Sequence, residues 1–282
     1  VYVLGLWLIA SNALFPLCAA GYTLSVGHLP PLQNGYTALL ITDLSGLGPA
    51  VEISFYDEMG REVSRSRKLL PPNGKIQIEV ENYLQSAGTI VLGSANKQIM
   101  GEYWQVQESG STFMLPLQSP GEEGRYFVNR LRLPSCGSGL MVLSDPYGSE
   151  PLIQMEFYSR TGELKDITRK LLRPHGTLTF DIDAHPLDAL GKISVRSLVG
   201  GSTVLHYRQL CEGKKVIAVP ARLPARELLI DEFSTGRDIE GNLVITDVSA
   251  EGPATEIVFL SDAGEVLSRL QKLLPPNGTV VI

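Results

Sequence analysis

Cysteine is scarce in this chain: three residues in 282, at Cys18, Cys136 and Cys211. That is too few for a disulfide-built scaffold, and the spacing fits no zinc site. Histidine is nearly as rare. His28, His175, His185 and His206 are the full set, and none stands in a recognisable arrangement with a nucleophile. Clusters of basic residues are missing as well, and the net charge is −6, which argues against nucleic acid and anionic membrane surfaces as partners. Disorder is excluded from the other side, since 44% of the residues are hydrophobic and only 19% charged.

What the chain does have is a repeat. Leu69-Leu70-Pro71-Pro72-Asn73-Gly74 returns as Leu171-Leu172-Arg173-Pro174-His175-Gly176 and again, unchanged, as Leu273-Leu274-Pro275-Pro276-Asn277-Gly278. The steps between copies are both 102 residues, about the size of a whole small domain and far too long for a solenoid unit. The sequence therefore predicts a signal-peptide-like segment over 1–20, repeats over 22–118 and 126–222, and a truncated third repeat over 227–282. The stretches 117–124 and 221–227, with Pro120, Gly121, Gly124 and Pro224, read as linkers between beads on a string.

Within each repeat the pattern is that of strands. Val51, Ile53 and Phe55 alternate with Glu52, Ser54 and Tyr56; Ile153, Met155 and Phe157 repeat the alternation, as do Thr255, Ile257 and Phe259. Gly60, Gly162 and Gly264 follow at the place where a short hairpin loop needs a left-handed residue. The paired prolines end the return strand, and Asn73-Gly74 supplies the next corner. About seven such strands in roughly 100 residues predict an all-β fold of tandem Ig-like antiparallel β-sandwiches.

Phe55-Tyr56-Asp57 with Gly60, then Leu70-Pro71-Pro72-Asn73-Gly74, then Met100-Gly101-Glu102-Tyr103-Trp104 resemble the repeats of secreted bacterial surface proteins, which string Ig-like sandwiches together. The second repeat departs from the pattern with Arg173 for a proline, His175 for the asparagine and Arg208 for the tryptophan. The resemblance implies an extracellular stalk or adhesion array and carries over no functional residue.

Residues 1–20 are uncharged and mostly apolar, ending in Cys18-Ala19-Ala20. They read as a secretory signal with cleavage after Ala20, or as an uncleaved anchor. Leu17 stands where a lipoprotein box needs a small residue. Either reading sends the rest of the chain out of the cytoplasm, with no membrane insertion after the leader.

Three groups of residues are candidates for more than scaffolding. Asp181, Asp183 and His185 would share one strand face and could hold a cation, although Glu79, Glu81 and Tyr83 in the first repeat make a plain solvated face the simpler reading. Cys136 and Cys211 fall at the same end of the second repeat, either bonded or as two separate thiols. Tyr56, Trp104 and Tyr158 could form an exposed aromatic face for a sugar, or pair across strands. No cofactor is expected. The sequence thus predicts a non-catalytic structural or adhesive array at the cell surface, whose partners are its own neighbouring repeats and a surface protein or glycan. The alternative is a carbohydrate-binding or accessory region of a larger secreted enzyme.

Overall fold

The computed structural model of the chain describes residues 21–31, 35–107, 112–119, 125–129, 136–185, 191–201, 203–211, 215–220, 243–261 and 265–282. The leader, Gly264 and most of both linkers lie outside these. Among the described residues there is no helix long and apolar enough to cross a membrane.

The chain is all-β and built of tandem antiparallel β-sandwiches. The first contains β1 (Tyr22–His28), β2 (Tyr36–Asp43), β3 (Ala50–Asp57), β4 (Glu62–Leu69), β5 (Lys75–Glu79), β6 (Gly88–Ser94), β7 (Ile99–Val106) and β8 (Thr112–Pro116). They form two sheets, ordered β1-β6-β3-β4 and β5-β2-β7-β8. The second sandwich repeats this with β9 (Arg125–Asn129), β10 (Cys136–Ser144), β11 (Leu152–Tyr158), β12 (Leu164–Leu171), β13 (Thr177–Asp181), β14 (Lys192–Val199), β15 (Val204–Cys211) and β16 (Lys215–Pro220). Its sheets run β9-β14-β11-β12 and β13-β10-β15-β16. The third unit shows β17 (Val244–Thr246) paired with β20 (Thr279–Val281), and β18 (Ala254–Leu260) paired with β19 (Val266–Leu273).

The alternation read in the sequence sets the core. Val51, Ile53 and Phe55 are buried against Leu39, Ile41 and Tyr103 from the facing sheet, and Ile153, Met155 and Phe157 against Met141, Leu143 and Tyr207. Among the described residues each of the first two units has eight strands where seven were expected. The additional ones are β1 and β9, the first strand of each unit. β1 is the edge strand of its sheet: it pairs with β6 along its whole length, and its other side meets the end of the first sandwich at Ser25 and Gln118.

The repeated Leu-Leu-Pro-Pro-Asn-Gly stretch is a corner, as expected. Asn73, His175 and Asn277 hold positive φ of 53°, 57° and 56°. In the first and third units the strand-ending aspartate binds the corner to its neighbouring loop. Asp43 accepts from the amides of Ser45 and Gly48 and from that of Asn73, 30 residues away. Asp247 does the same with Ser249, Gly252 and Asn277.

Candidate functional site

Neither the Asp181–Asp183–His185 group nor the aromatic face assembles as a binding site, and the reason differs for each. β13 ends at Asp181, and Ile182–Ala184 form a 3-10 turn, so the two-residue period that would align Asp181, Asp183 and His185 is lost. Asp181 accepts from the Asp183 amide, and Asp183 accepts from the Gly139 amide. His185 lies against Phe157 and Phe180 with ring centroids 4.3 and 4.8 Å away, and its Nδ1 is 2.5 Å from Asp166 Oδ2. Tyr83 occupies the same place in the first sandwich, stacked on Phe55 at 4.8 Å. The position is an aromatic lid on the core. Among the described residues no three His, Cys, Asp or Glu side chains are grouped to hold a metal.

The aromatic face also separates. Tyr56 is only 7% exposed and stacks on His175 at 4.3 Å. Tyr158 donates to Glu156 and lies 4.6 Å beneath the Lys192 ammonium. Trp104 alone remains open, 36% exposed, its Nε1–H donating to Glu102.

Cys136 and Cys211 are direct cross-strand partners of β10 and β15. Such partners have Cα atoms about 4.5–5.5 Å apart, inside the span that a disulfide bridges. The register permits a bond, which would contribute about 4 kcal/mol in the chain-entropy view. Intact mass after alkylation without reductant is the check. Two alkylated thiols at these positions would rule the bond out.

Tyr56 and Tyr158 lead instead to the best-defined geometry in the chain, which is the junction between units. The β3–β4 hairpin turn of the first sandwich is seated on the Pro174–Thr177 corner of the second. Thr177 donates its amide to Glu58 O at 3.2 Å. The hydroxyls of Thr89 and Thr177 are 2.8 Å apart, and Ser144 Oγ is 3.0 Å from the same Thr177 oxygen. The junction recurs one period later. Thr279 donates its amide to Arg160 O at 2.9 Å, and Thr246 and Thr279 hydroxyls are 2.9 Å apart. By strand register Lys192 stands where Thr89 stood, opposite Tyr158 as Thr89 is opposite Tyr56. Its ammonium donates to Asp247 O and Asn277 Oδ1, again reaching the next unit's corner.

Glycine is required in the seated turn for two reasons, and the sequence reveals one. Gly60 and Gly162 have φ of 81° and 90°, as the hairpin reading predicts. A Cβ on either would also stand 1.8 Å from Pro174 O or 1.9 Å from Pro276 O, atoms of the following unit. The turn and the corner are thus fitted backbone to backbone.

A second seam joins the first two sandwiches. The Gln118 side-chain amide donates to Leu205 O and accepts from Leu205 N, both at 3.3 Å, completing an edge of β15 as a strand would. Arg208 donates to Gln105 Oε1 at 2.7 Å and its guanidinium lies 5.1 Å from the Phe113 ring. His28 Nδ1 is 2.9 Å from Tyr103 Oη, and Gln105 and Tyr103 both donate to Leu29 O. Burial, reinforced by Arg208, holds both His28 and His206 down to about 3, so both imidazoles are neutral at physiological pH. A cavity beside the seam, lined by Ser25, Gly27, Gln118 and His206, has room for about one water molecule.

No protein-family model matches the sequence, and no curated protein does. Similar solved structures include α-L-rhamnosidase of Streptomyces avermitilis, with TM-score 0.24, 10% identity, and coverage of 72% of this chain and 26% of that one. A putative β-galactosidase from Bacteroides fragilis gives TM-score 0.19 and 12% identity over 70% of this chain and 32% of its own. β-Glucuronidase 2 of Bacteroides uniformis gives 0.20 and 9%, covering 72% and 26%. The chain spans about a quarter to a third of the length of these proteins. Superpositions this loose bear on neither activity nor ligand.

Proposed function

We propose that this chain is a non-catalytic spacer, a tandem array of sandwiches made stiff by docked junctions and displayed outside the cytoplasm. The observation that carries this reading is the junction itself, built twice from equivalent residues. Flexible linkers between beads would need no such fit. Here each hairpin turn is held by an amide of the next unit's corner, with the Thr89–Thr177 hydroxyl pair beside the first and the Lys192 ammonium on Asp247 O beside the second, so bending requires hydrogen bonds and buried contacts to be broken together. The leader-like segment and the resemblance to surface-protein repeats support an extracellular setting. The same stiffness would also suit an accessory region that holds the parts of a larger secreted enzyme apart, for which the exposed Trp104 is the one favourable feature.

Small-angle X-ray scattering of the intact chain tests the reading. A profile fitted by one conformation, with the compact Kratky form of a rigid particle, is expected. A profile that needs an ensemble of inter-unit angles would overturn it.

A further inference from the structure

The two docked junctions follow one plan, and the residues at which they differ are matched across the contact. At the first, His175 of the corner stacks on Tyr56 with ring centroids 4.3 Å apart. Thr89, the cross-strand partner of Tyr56, sets its hydroxyl 2.8 Å from that of Thr177. At the second, Asn277 takes the place of His175 and Lys192 that of Thr89. The Lys192 ammonium reaches Asn277 Oδ1 at 3.2 Å and lies 4.6 Å from the ring of Tyr158, the counterpart of Tyr56. The tyrosine is therefore covered by the next unit's imidazole at one junction and by its own unit's ammonium at the other.

A further difference lies beneath the corner. Gly148 and Ala250 hold the same place in their units, with φ of 70° and 66°. A Cβ on Gly148 would stand 2.5 Å from His175 Nε2, so the imidazole has room because the residue below it is glycine. Ala250 carries that Cβ, and the corner above it has the smaller asparagine.

We infer that these residues are specificity determinants that fix which unit seats on which. An imidazole corner over glycine receives the turn flanked by threonine, and an amide corner over alanine receives the turn flanked by lysine. The corners are otherwise so alike that a turn could seat on the wrong one, and misassembly between like units is a characteristic failure of repeat proteins. Crossing the pairs shows the penalty. Lys192 is 1% exposed, and on an imidazole corner its buried ammonium would lose the Asn277 acceptor. The threonine-flanked turn, seated on an asparagine corner, would leave Tyr56 without its stack. Discrimination comes from the wrong pair's losses as much as from the right pair's contacts.

The inference rests on the docked-junction reading, and the experiment separates the two. In the full chain, the Thr279 amide donates to Arg160 O across the second junction, so its hydrogen-exchange protection reports docking there. Lys192→Thr alone, and Asn277→His with Ala250→Gly, should each lower that protection about tenfold or more, while the β11 amides keep theirs. All three substitutions together rebuild the first junction's set, with Thr279 already standing where Thr177 meets Thr89. Protection should then return close to that of the unaltered chain. Should Lys192→Thr unsettle β11 itself, the mirror set decides: Thr89→Lys should lower protection of the Thr177 amide, and adding His175→Asn with Gly148→Ala should recover it. Losses that simply add when the substitutions are combined overturn the matching, as do variants protected like the unaltered chain. A Thr279 amide unprotected in the unaltered chain would instead sink the docked junction itself.

Discussion

Replacing Gly60 with asparagine is expected to part the first two sandwiches without unfolding either. Asparagine tolerates left-handed backbone better than most residues, so the hairpin itself, at φ 81°, loses little. The damage comes from the new Cβ, which would stand 1.8 Å from Pro174 O. Both sides of that contact are main chain, and neither can swing aside as a flexible side chain would. The turn must retreat by an ångström or more. The Thr177–Glu58 hydrogen bond, the Thr89–Thr177 hydroxyl pair and the Tyr56–His175 stack all go with it. At about 1 kcal/mol for each hydrogen bond and for the stack, the lost coupling is on the order of 3 kcal/mol. Gly162→Asn is the parallel case at the second junction, where the Cβ would meet Pro276 O at 1.9 Å. Gly46→Asn separates strain from clash. It has φ of 73°, and its Cβ meets only the Asn73 side-chain amide, at 3.0 Å. Calorimetry should resolve separate transitions in the Gly60 and Gly162 variants and one coupled transition in the Gly46 variant. Identical melting profiles for all three would show that the fit at the corner is not what couples the units.

Gly60 also marks where sequence reasoning stops. Its role in the hairpin was legible because a left-handed loop residue is a local requirement, written in the few residues around it. Its second role depends on Pro174, more than a hundred residues away, and no local pattern encodes that. The same division holds elsewhere. The alternating apolar residues of β3 and β11 announced a half-buried sheet, and the repeat announced equivalent units. Neither could say that Tyr56, apparently on an outward face, would be covered by the next unit. β1 was overlooked although Leu24 and Val26 alternate correctly, because it follows directly on an apolar leader whose character masks the period. Asp181, Asp183 and His185 failed for a local reason: alignment on one face assumes the strand continues, and here a 3-10 turn begins after Asp181. The one available signal was the departure of the second repeat from its siblings. Arg208 in place of Trp104 fits a face buried at the seam, where the first repeat keeps an open one.

Acidification should open the seam between the first two sandwiches well before Asp43 titrates. His28 and His206 are held near 3 in the folded chain and would return to about 6.5 once exposed. Above about pH 6.5 neither state binds the extra protons, and the full stability is present. As pH falls below that value the undocked state takes up protons that the docked state refuses, and stability is lost until pH reaches about 3. With two imidazoles the steepest slope is about 2.7 kcal/mol per pH unit, so a fall from neutrality to pH 4.5 costs several kcal/mol. The groups facing them deepen the effect. Arg208 adds positive charge to both, His28 adds to that on His206, and Tyr103, on which Glu81 acts, meets His28 through its hydroxyl. Asp43 responds lower down. On Asp43 the upward pull of burial is outweighed by hydrogen bonds from Ser45, Gly48 and Asn73, leaving it at about 2, so its contribution disappears only between about pH 3.8 and 2. Melting temperatures followed from pH 7.5 to pH 4.5 should therefore report His28 and His206 before Asp43 contributes. His28→Gln keeps a hydrogen-bonding partner for Tyr103 and should roughly halve the slope, as should His206→Gln, and the double variant should be nearly flat across this range. The acid transition should appear in scattering as separated units that keep their circular dichroism. A pH profile unchanged by both substitutions would place the acid sensitivity outside this seam.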